Sequence, residues 1–247
     1  MSKTGSAAIS GNLRHTVPTN PLEPLGPVDR RLLRSAGLTG TVGSLLLLAA
    51  FVLVGALGLP DTSSAESLLR YPEIQHARVA ENLLYLAAVV LWAVQHDLLH
   101  RLLCTAAPVL SSAARTVGLL GVASLAAGAL LNVATAPMSQ AYQQVAEADR
   151  AGAILAWNAT QAVLDAMLIT GALLLPVTIV LFGFALSRGL SPVLGWGAVA
   201  VGTAGLAGAT IAAATPPPSA LAVAVSILGA LAFHLATGIR CIRLSRS

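Results

Sequence analysis

Charged residues are scarce in this sequence, since Asp, Glu, Lys and Arg make up only 10% of its 247 residues. Soluble domains carry about 25%, so the chain lacks the polar surface of a water-soluble globule. Hydrophobic residues account for 56%, and residues that face lipid need no charge. The composition therefore excludes an ordinary soluble domain and predicts an integral membrane protein.

Cysteines and catalytic motifs are equally scarce. The two cysteines, Cys104 and Cys241, form no CxxC metal motif, and both fall on the predicted cytoplasmic side, where disulfides are rare. The chain has no GxSxG nucleophile motif, no Walker motif and no dinucleotide-binding fingerprint. We therefore expect no cofactor. The net charge of +4 comes from basic residues beside apolar runs, which predicts contact with lipid head groups and no nucleic-acid partner.

Six long apolar runs divide the chain into polar segments, and Lys and Arg are concentrated in every second segment. Eleven of the 14 Lys and Arg residues fall in the odd-numbered segments and three in the even-numbered ones. Segments rich in Lys and Arg stay in the cytoplasm. The sequence thus predicts an all-α bundle of six transmembrane helices, with both termini in the cytoplasm. The predicted spans are residues 38–59, 79–99, 116–136, 153–187, 192–214 and 220–239.

The flanking segments complete the predicted organisation. Residues 1–29 are rich in Ser, Thr, Gly, Pro and Asn, which predicts a disordered cytoplasmic tail. Residues 30–242 form the membrane domain, and residues 243–247 form a short basic tail. The first apolar run starts too far along the chain for a standard cleaved signal peptide. Residues 61–78 form the most polar outer loop, with a short interfacial helix near residues 65–70.

Asp165 is the main candidate for a functional residue. It lies about 11 residues into the fourth span, and a helix rises 1.5 Å per residue, so we expect it near mid-membrane. An aspartate there costs about 2.5–3.5 kcal/mol on insertion scales. Asn158 and Gln161 share its helical face, at spacings i, i+3 and i+7. That face should turn inward, and Asp165 is the candidate catalytic residue.

Polar residues of two other spans are expected at the same depth, in the outer half of the membrane. Their side chains could satisfy one another by hydrogen bonds that lipid cannot supply. Buried amides are also common as simple contacts between helices, and Glu81 could instead lie in solvent at the interface. The predicted binding residues are Asn158, Gln161, Asn132, Glu81, Asn82 and Tyr85.

A second polar group lies near the inner end of the second span. His96 and His100 are spaced i, i+4 around Asp97, a spacing that can hold zinc. The Glu of an HExxH motif is missing and no third ligand is evident, although His234 could reach this region. The two histidines are weak metal candidates, and we predict no metal site.

Two short motifs carry a family resemblance. They are Ala162-Val163-Leu164-Asp165, followed by Gly171 and Pro176, and Leu194-Gly195-Trp196. With them, the chain resembles a group of uncharacterised bacterial six-span proteins that define a domain of unknown function. The resemblance implies a six-helix fold in a bacterial cytoplasmic membrane and no particular reaction, cofactor or partner.

Three classes of function remain open from the sequence. The first is a membrane protein that binds a lipid, a hydrophobic small molecule or a partner helix at the outer polar pocket. The second is a membrane enzyme, similar to an isomerase or cyclase, acting on a lipidic substrate with Asp165 as general acid. The third is a proton-coupled carrier with Asp165 as relay.

Overall fold

The chain folds into a bundle of helices. The structure, a computed structural model, describes residues 27–60, 65–133, 135–214 and 220–247. Within these ranges the protein is all-helical and contains no strand. The helices are α1 Pro27–Leu57, α2 Ala65–Leu103, α3 Pro108–Val133, α4 Ala136–Gln144, α5 Arg150–Gly189, α6 Pro192–Ala214 and α7 Ala220–Arg246, with a 3-10 turn at Glu147–Asp149.

Six of these helices, all except α4, are long and apolar enough to cross a membrane. They correspond to the six predicted spans, and α6 has the predicted bounds. Their outward surfaces carry many exposed apolar side chains, for example Val52, Leu155 and Val193. A soluble protein rarely exposes so large an apolar surface, so this band suits contact with lipid. Most of the predicted tail, residues 1–29, lies outside the described residues, but α1 begins at Pro27.

The bundle has two ends, which we name by what they hold. The terminal end contains the start of α1, the end of α7 and the links α2–α3 and α5–α6. The loop end contains the links α1–α2, α3–α5 and α6–α7. Of the described Arg residues, three lie at the loop end, Arg70, Arg78 and Arg150, and the others lie at the terminal end.

Helices α2 and α5 are much longer than the others. They contain 39 and 40 residues, or about 60 Å at 1.5 Å per residue, which is twice the hydrocarbon thickness of a bilayer. The helix predicted near residues 65–70 is the start of α2, which begins at Ala65 and continues through Pro72, so the predicted outer loop is wrong for residues 71–78. Helix α5 likewise continues through Pro176.

Glycines allow close approach at the main helix seams. A Cβ atom on Gly195 of α6 would lie 2.6 Å from the carbonyl oxygen of Gly183 on α5. Pro176 of α5 packs against Gly205 in the same seam. Helices α1 and α7 approach in the same way through Gly37 and Gly238. Small residues let backbones pack closely where apolar burial gives little advantage.

These seams fix the relative heights of the helices. Gly183 of α5 faces Gly195 of α6, and Pro176 faces Gly205, so the two helices are antiparallel. Extending this pairing along both helices places Asp165 level with Ala214, where α6 ends. On the other side of α5, Gly128 of α3 packs against Met167, so α3 also ends near this level. The first 15 or so residues of α5 therefore project past the ends of α3 and α6 at the loop end, since each residue adds about 1.5 Å.

Candidate functional site

Helix α4 covers a small core at the loop end, between the projecting parts of α2 and α5. This loop-end core consists of Leu68, Tyr71, Ala136 and Trp157. The Tyr71 and Trp157 rings meet edge to face, with centroids 6.4 Å apart. This geometry is favourable for two aromatic rings, and it joins α2 directly to α5.

A serine anchors α4 at a carbonyl of α2 that Pro72 leaves without a helical donor. Pro72 has no N–H, so the carbonyl oxygen of Leu68, four residues earlier, loses its helical donor. Ser139 Oγ of α4 donates a hydrogen bond of 2.7 Å to this oxygen. The short helix is thus positioned by the proline of its neighbour, and it closes over the loop-end core.

Arg78 is a buried charge that the sequence analysis assigned to a loop. Its side chain is 2% exposed and pairs with Glu81 at 2.8 Å. Its guanidinium also donates to the carbonyl oxygen of Pro60, which follows α1, and Asn82 Nδ2 donates to the Arg78 carbonyl at 2.8 Å. The spacing i, i+3, i+4 of Arg78, Glu81 and Asn82 suits helical pairing. This spacing is the feature of the sequence from which the group could have been predicted.

Gln161 of α5 is buried with its hydrogen-bonding capacity unused. It is 4% exposed, and neither Nε2 nor Oε1 has a partner among the described residues. Trp157 Nε1, one turn earlier on α5, and Arg78 Nε are also buried without a partner in that part of the chain. Buried polar atoms are normally satisfied, so this concentration marks the strongest candidate for a binding site.

Tyr71 connects two of these three side chains, Trp157 and Arg78, and Gln161 shares the helical face of Trp157. Trp157 contacts Tyr71, and Arg78 interacts with Tyr71 electrostatically. Arg78 lies seven residues after Tyr71 and Gln161 four residues after Trp157, so each pair shares a helical face. We call Arg78, Trp157 and Gln161 the donor cluster.

Asp165 lies on a different side of α5 from Trp157. Asp165 lies 18 residues, or five full helical turns, before Gly183, so the two residues share a face of α5. Gly183 contacts α6. Asp165 is half-buried and level with the end of α6. This height differs from the expected mid-membrane position, because the extra length of α5 projects at the loop end.

The other predicted binding residues have separate environments. Asn158 is exposed, and Asn132 is half-buried near the end of α3. Tyr85 packs against the main core, and its hydroxyl oxygen is buried without a partner in the described chain. The predicted hydrogen bonding among the amides differs from what the structure has, since Asn82 bonds within α2 and Gln161 has no partner among the described residues.

A second buried polar group lies deep in the main core. His234 Nδ1 is 2.6 Å from Gln95 Oε1, and Gln95 Nε2 donates to the His234 carbonyl at 3.3 Å. This second bond fixes the amide orientation, so Oε1 accepts and His234 carries its proton on Nδ1. The ring stacks on Trp92 at 4.1 Å, and its centroid lies 5.0 Å from that of His96.

The predicted pair His96 and His100 is divided between two environments. His96 is fully buried, whereas His100 Nδ1 lies 3.2 Å from Ser111 Oγ at the start of α3. Asp97 faces outward and bridges Arg101 and Arg115, each at 2.8 Å. The described residues contain no group of three or more His, Cys, Asp or Glu that could hold a metal ion.

Comparison with known proteins gives no relative for this chain. No family model matches it, and neither a curated protein nor a solved structure does. The resemblance to bacterial six-span proteins therefore stays a prediction, and the site has to be interpreted from its own chemistry.

Proposed function

We propose that this is a multi-pass protein of a bacterial cytoplasmic membrane, with both termini in the cytoplasm. Six helices of suitable length and their exposed apolar surfaces support insertion. The terminal end carries most of the described Arg residues, and basic segments favour the cytoplasmic side. The loop end, with the donor cluster, would then face the outer leaflet.

Within this topology, we propose that the protein binds a lipid or a hydrophobic small molecule at the loop end. The observation that carries the proposal is the Gln161 amide, which is buried and has no partner among the described residues. A bound polar group would satisfy it, together with the free N–H groups of Trp157 and Arg78. These side chains are only 2–4% exposed, which favours a ligand that enters the bundle over a helix that docks outside it.

Retention of a ligand by the purified protein tests this function. The full chain is purified from bacterial membranes in mild detergent and analysed by native mass spectrometry, followed by extraction of bound molecules. We expect the wild-type protein to retain an amphiphile and Gln161→Leu to lose it. Asn158→Leu is the matched control, since Asn158 is an exposed amide on the same helix. A wild-type protein without ligand, or equal retention by Gln161→Leu, would reject the proposal.

The enzyme and carrier hypotheses both depend on Asp165. Lipid and metabolite profiles of cells that carry Asp165→Asn, compared with wild type at equal protein level, test both. An altered profile would favour one of these classes over simple binding. An unchanged profile, combined with ligand retention by the purified Asp165→Asn protein, would support binding as the function.

A further inference from the structure

We propose that the donor cluster recognises carbonyl oxygens of an uncharged acyl-ester or quinone-like group on the bound amphiphile. This inference rests on the proposed binding function and names the chemistry of the ligand. It depends on three properties of the site: the balance of donors and acceptors, the balance of charge, and the height in the bundle.

Donors outnumber acceptors in the cluster. In the cluster and in Tyr71, which connects two of its members, the atoms without a partner among the described residues are Arg78 Nε, Trp157 Nε1, the Tyr71 hydroxyl oxygen and both polar atoms of Gln161. Arginine and indole nitrogens only donate, an amide nitrogen donates twice and a hydroxyl does both, so Gln161 Oε1 and the Tyr71 hydroxyl are the acceptors of this set. A ligand that complements the cluster must therefore present hydrogen-bond acceptors.

The charge of Arg78 is already compensated. Glu81 pairs with one terminal nitrogen of Arg78, and the Pro60 carbonyl accepts from the other. The Nε–H group has no partner among the described residues, so the site has directed donors without an excess positive charge. Burying an anion without a compensating charge is costly, and this disfavours a phosphate in the cluster. A neutral carbonyl oxygen accepts hydrogen bonds without that penalty.

The height of the cluster suits an ester carbonyl. Tyr71 lies level with Trp157, and His96 lies level with Phe182, so α2 and α5 run in parallel and Arg78 is close to the height of Asp165. That is the level where α3 and α6 end, and thus the edge of the apolar layer; Gln161 and Trp157 lie about 6 and 12 Å further out, on the head-group side of this edge. Polar and interfacial groups of a bilayer begin at the edge of its hydrocarbon core, and acyl-ester carbonyls lie there.

Paired lipids that differ only in the carbonyl provide the test. Delipidated full-length protein is titrated with dioleoyl phosphatidylglycerol and with its dialkyl-ether analogue, which has the same head group and no carbonyl. One or two hydrogen bonds predict that the ester binds about 5- to 30-fold more tightly. We expect Gln161→Leu and Trp157→Phe to reduce this preference, and Asn158→Leu to keep it.

Further probes identify the source of the carbonyl and the effect of charge. Diacyl phosphatidylcholine should bind about as well as phosphatidylglycerol, because Glu81 offsets Arg78. A short-chain quinone that displaces the diester would identify a quinone as the preferred carbonyl source, and no displacement would identify the ester. Equal affinity for ester and ether lipids, or a strong preference for the anionic head group, would overturn the inference and leave the binding function standing. Absence of lipid binding would reject both.

Discussion

Ser226 Oγ of α7 donates a hydrogen bond of 2.6 Å to the carbonyl oxygen of Ala172 on α5. This oxygen lies four residues before Pro176, whose missing N–H would otherwise have been its helical donor. Ser139 of α4 does the same for Leu68, four residues before Pro72 of α2. Each proline inside a helix is thus matched by a serine of another helix, which explains how α2 and α5 remain continuous.

Replacing Ser226 should destabilise the protein through the Ala172 carbonyl. Ser226→Ala leaves this buried oxygen without a donor, which costs about 1–3 kcal/mol. Pro176→Ala restores a backbone N–H for the same oxygen, so the serine substitution should cost less in a Pro176→Ala background. Unfolding free energies of the four proteins in a double-mutant cycle measure this coupling. An equal cost of Ser226→Ala in both backgrounds would contradict the assignment.

Replacing Ser139 should loosen α4 while leaving the six long helices intact. Ser139→Ala removes the bond to Leu68, and hydrogen exchange of residues 136–144 should become faster by up to an order of magnitude per 1.4 kcal/mol lost. Gln143→Ala, on an exposed position of the same helix, is the control. Unchanged exchange in Ser139→Ala would show that the loop-end core alone holds α4.

Gly118 should be intolerant of a side chain because of His96. A Cβ atom on Gly118 would lie 2.5 Å from His96 Nδ1, whereas one on Gly128 of the same helix would lie 3.6 Å from its nearest neighbour, Met167 Cβ. We expect Gly118→Ala to lower the unfolding free energy by about 1–3 kcal/mol through overpacking. Gly128→Ala should be neutral or slightly stabilising, since alanine favours helix. Equal stability of the two variants in detergent would be inconsistent with tight packing around His96.

Thiol labelling should report the proposed topology. Cys104 is partly exposed in the α2–α3 link, and Cys241 is buried in α7. A membrane-impermeant maleimide should label Cys104 in inverted vesicles and not in intact spheroplasts, with Cys241 unreactive in both. Gln144→Cys, at an exposed loop-end position, should show the opposite pattern in a Cys104→Ser background. Labelling of Cys104 from outside would reverse the proposed orientation.

The six long helices were predictable because apolar runs of about 20 residues have few alternative structures. A helix near residues 65–70 was predicted, but its continuation through Pro72 was not, because the Leu68 carbonyl that Pro72 leaves without a donor is satisfied by Ser139 from a distant part of the chain. The same applies to Arg78. Its burial follows from contact with the residue after α1, which no local pattern encodes.

The candidate site was predictable only in part. Gln161 was expected in the interior and is buried there, because its helical face was identifiable from spacing. Its neighbours Trp157 and Arg78 were missed, since the heights of α2 and α5 follow from long-range packing. Gln95 was missed for a similar reason, as its role depends on His234, 139 residues later.

The contact between α1 and α7 through Gly37 and Gly238 makes the order of synthesis important. Helix α1 packs against α7, the last of the described helices in chain order, and the Gln95 amide finds His234 only when α7 has arrived. A nascent chain that lacks α7 therefore carries an uncovered amide and a vacant seam, which are features that chaperones and quality-control proteases can recognise.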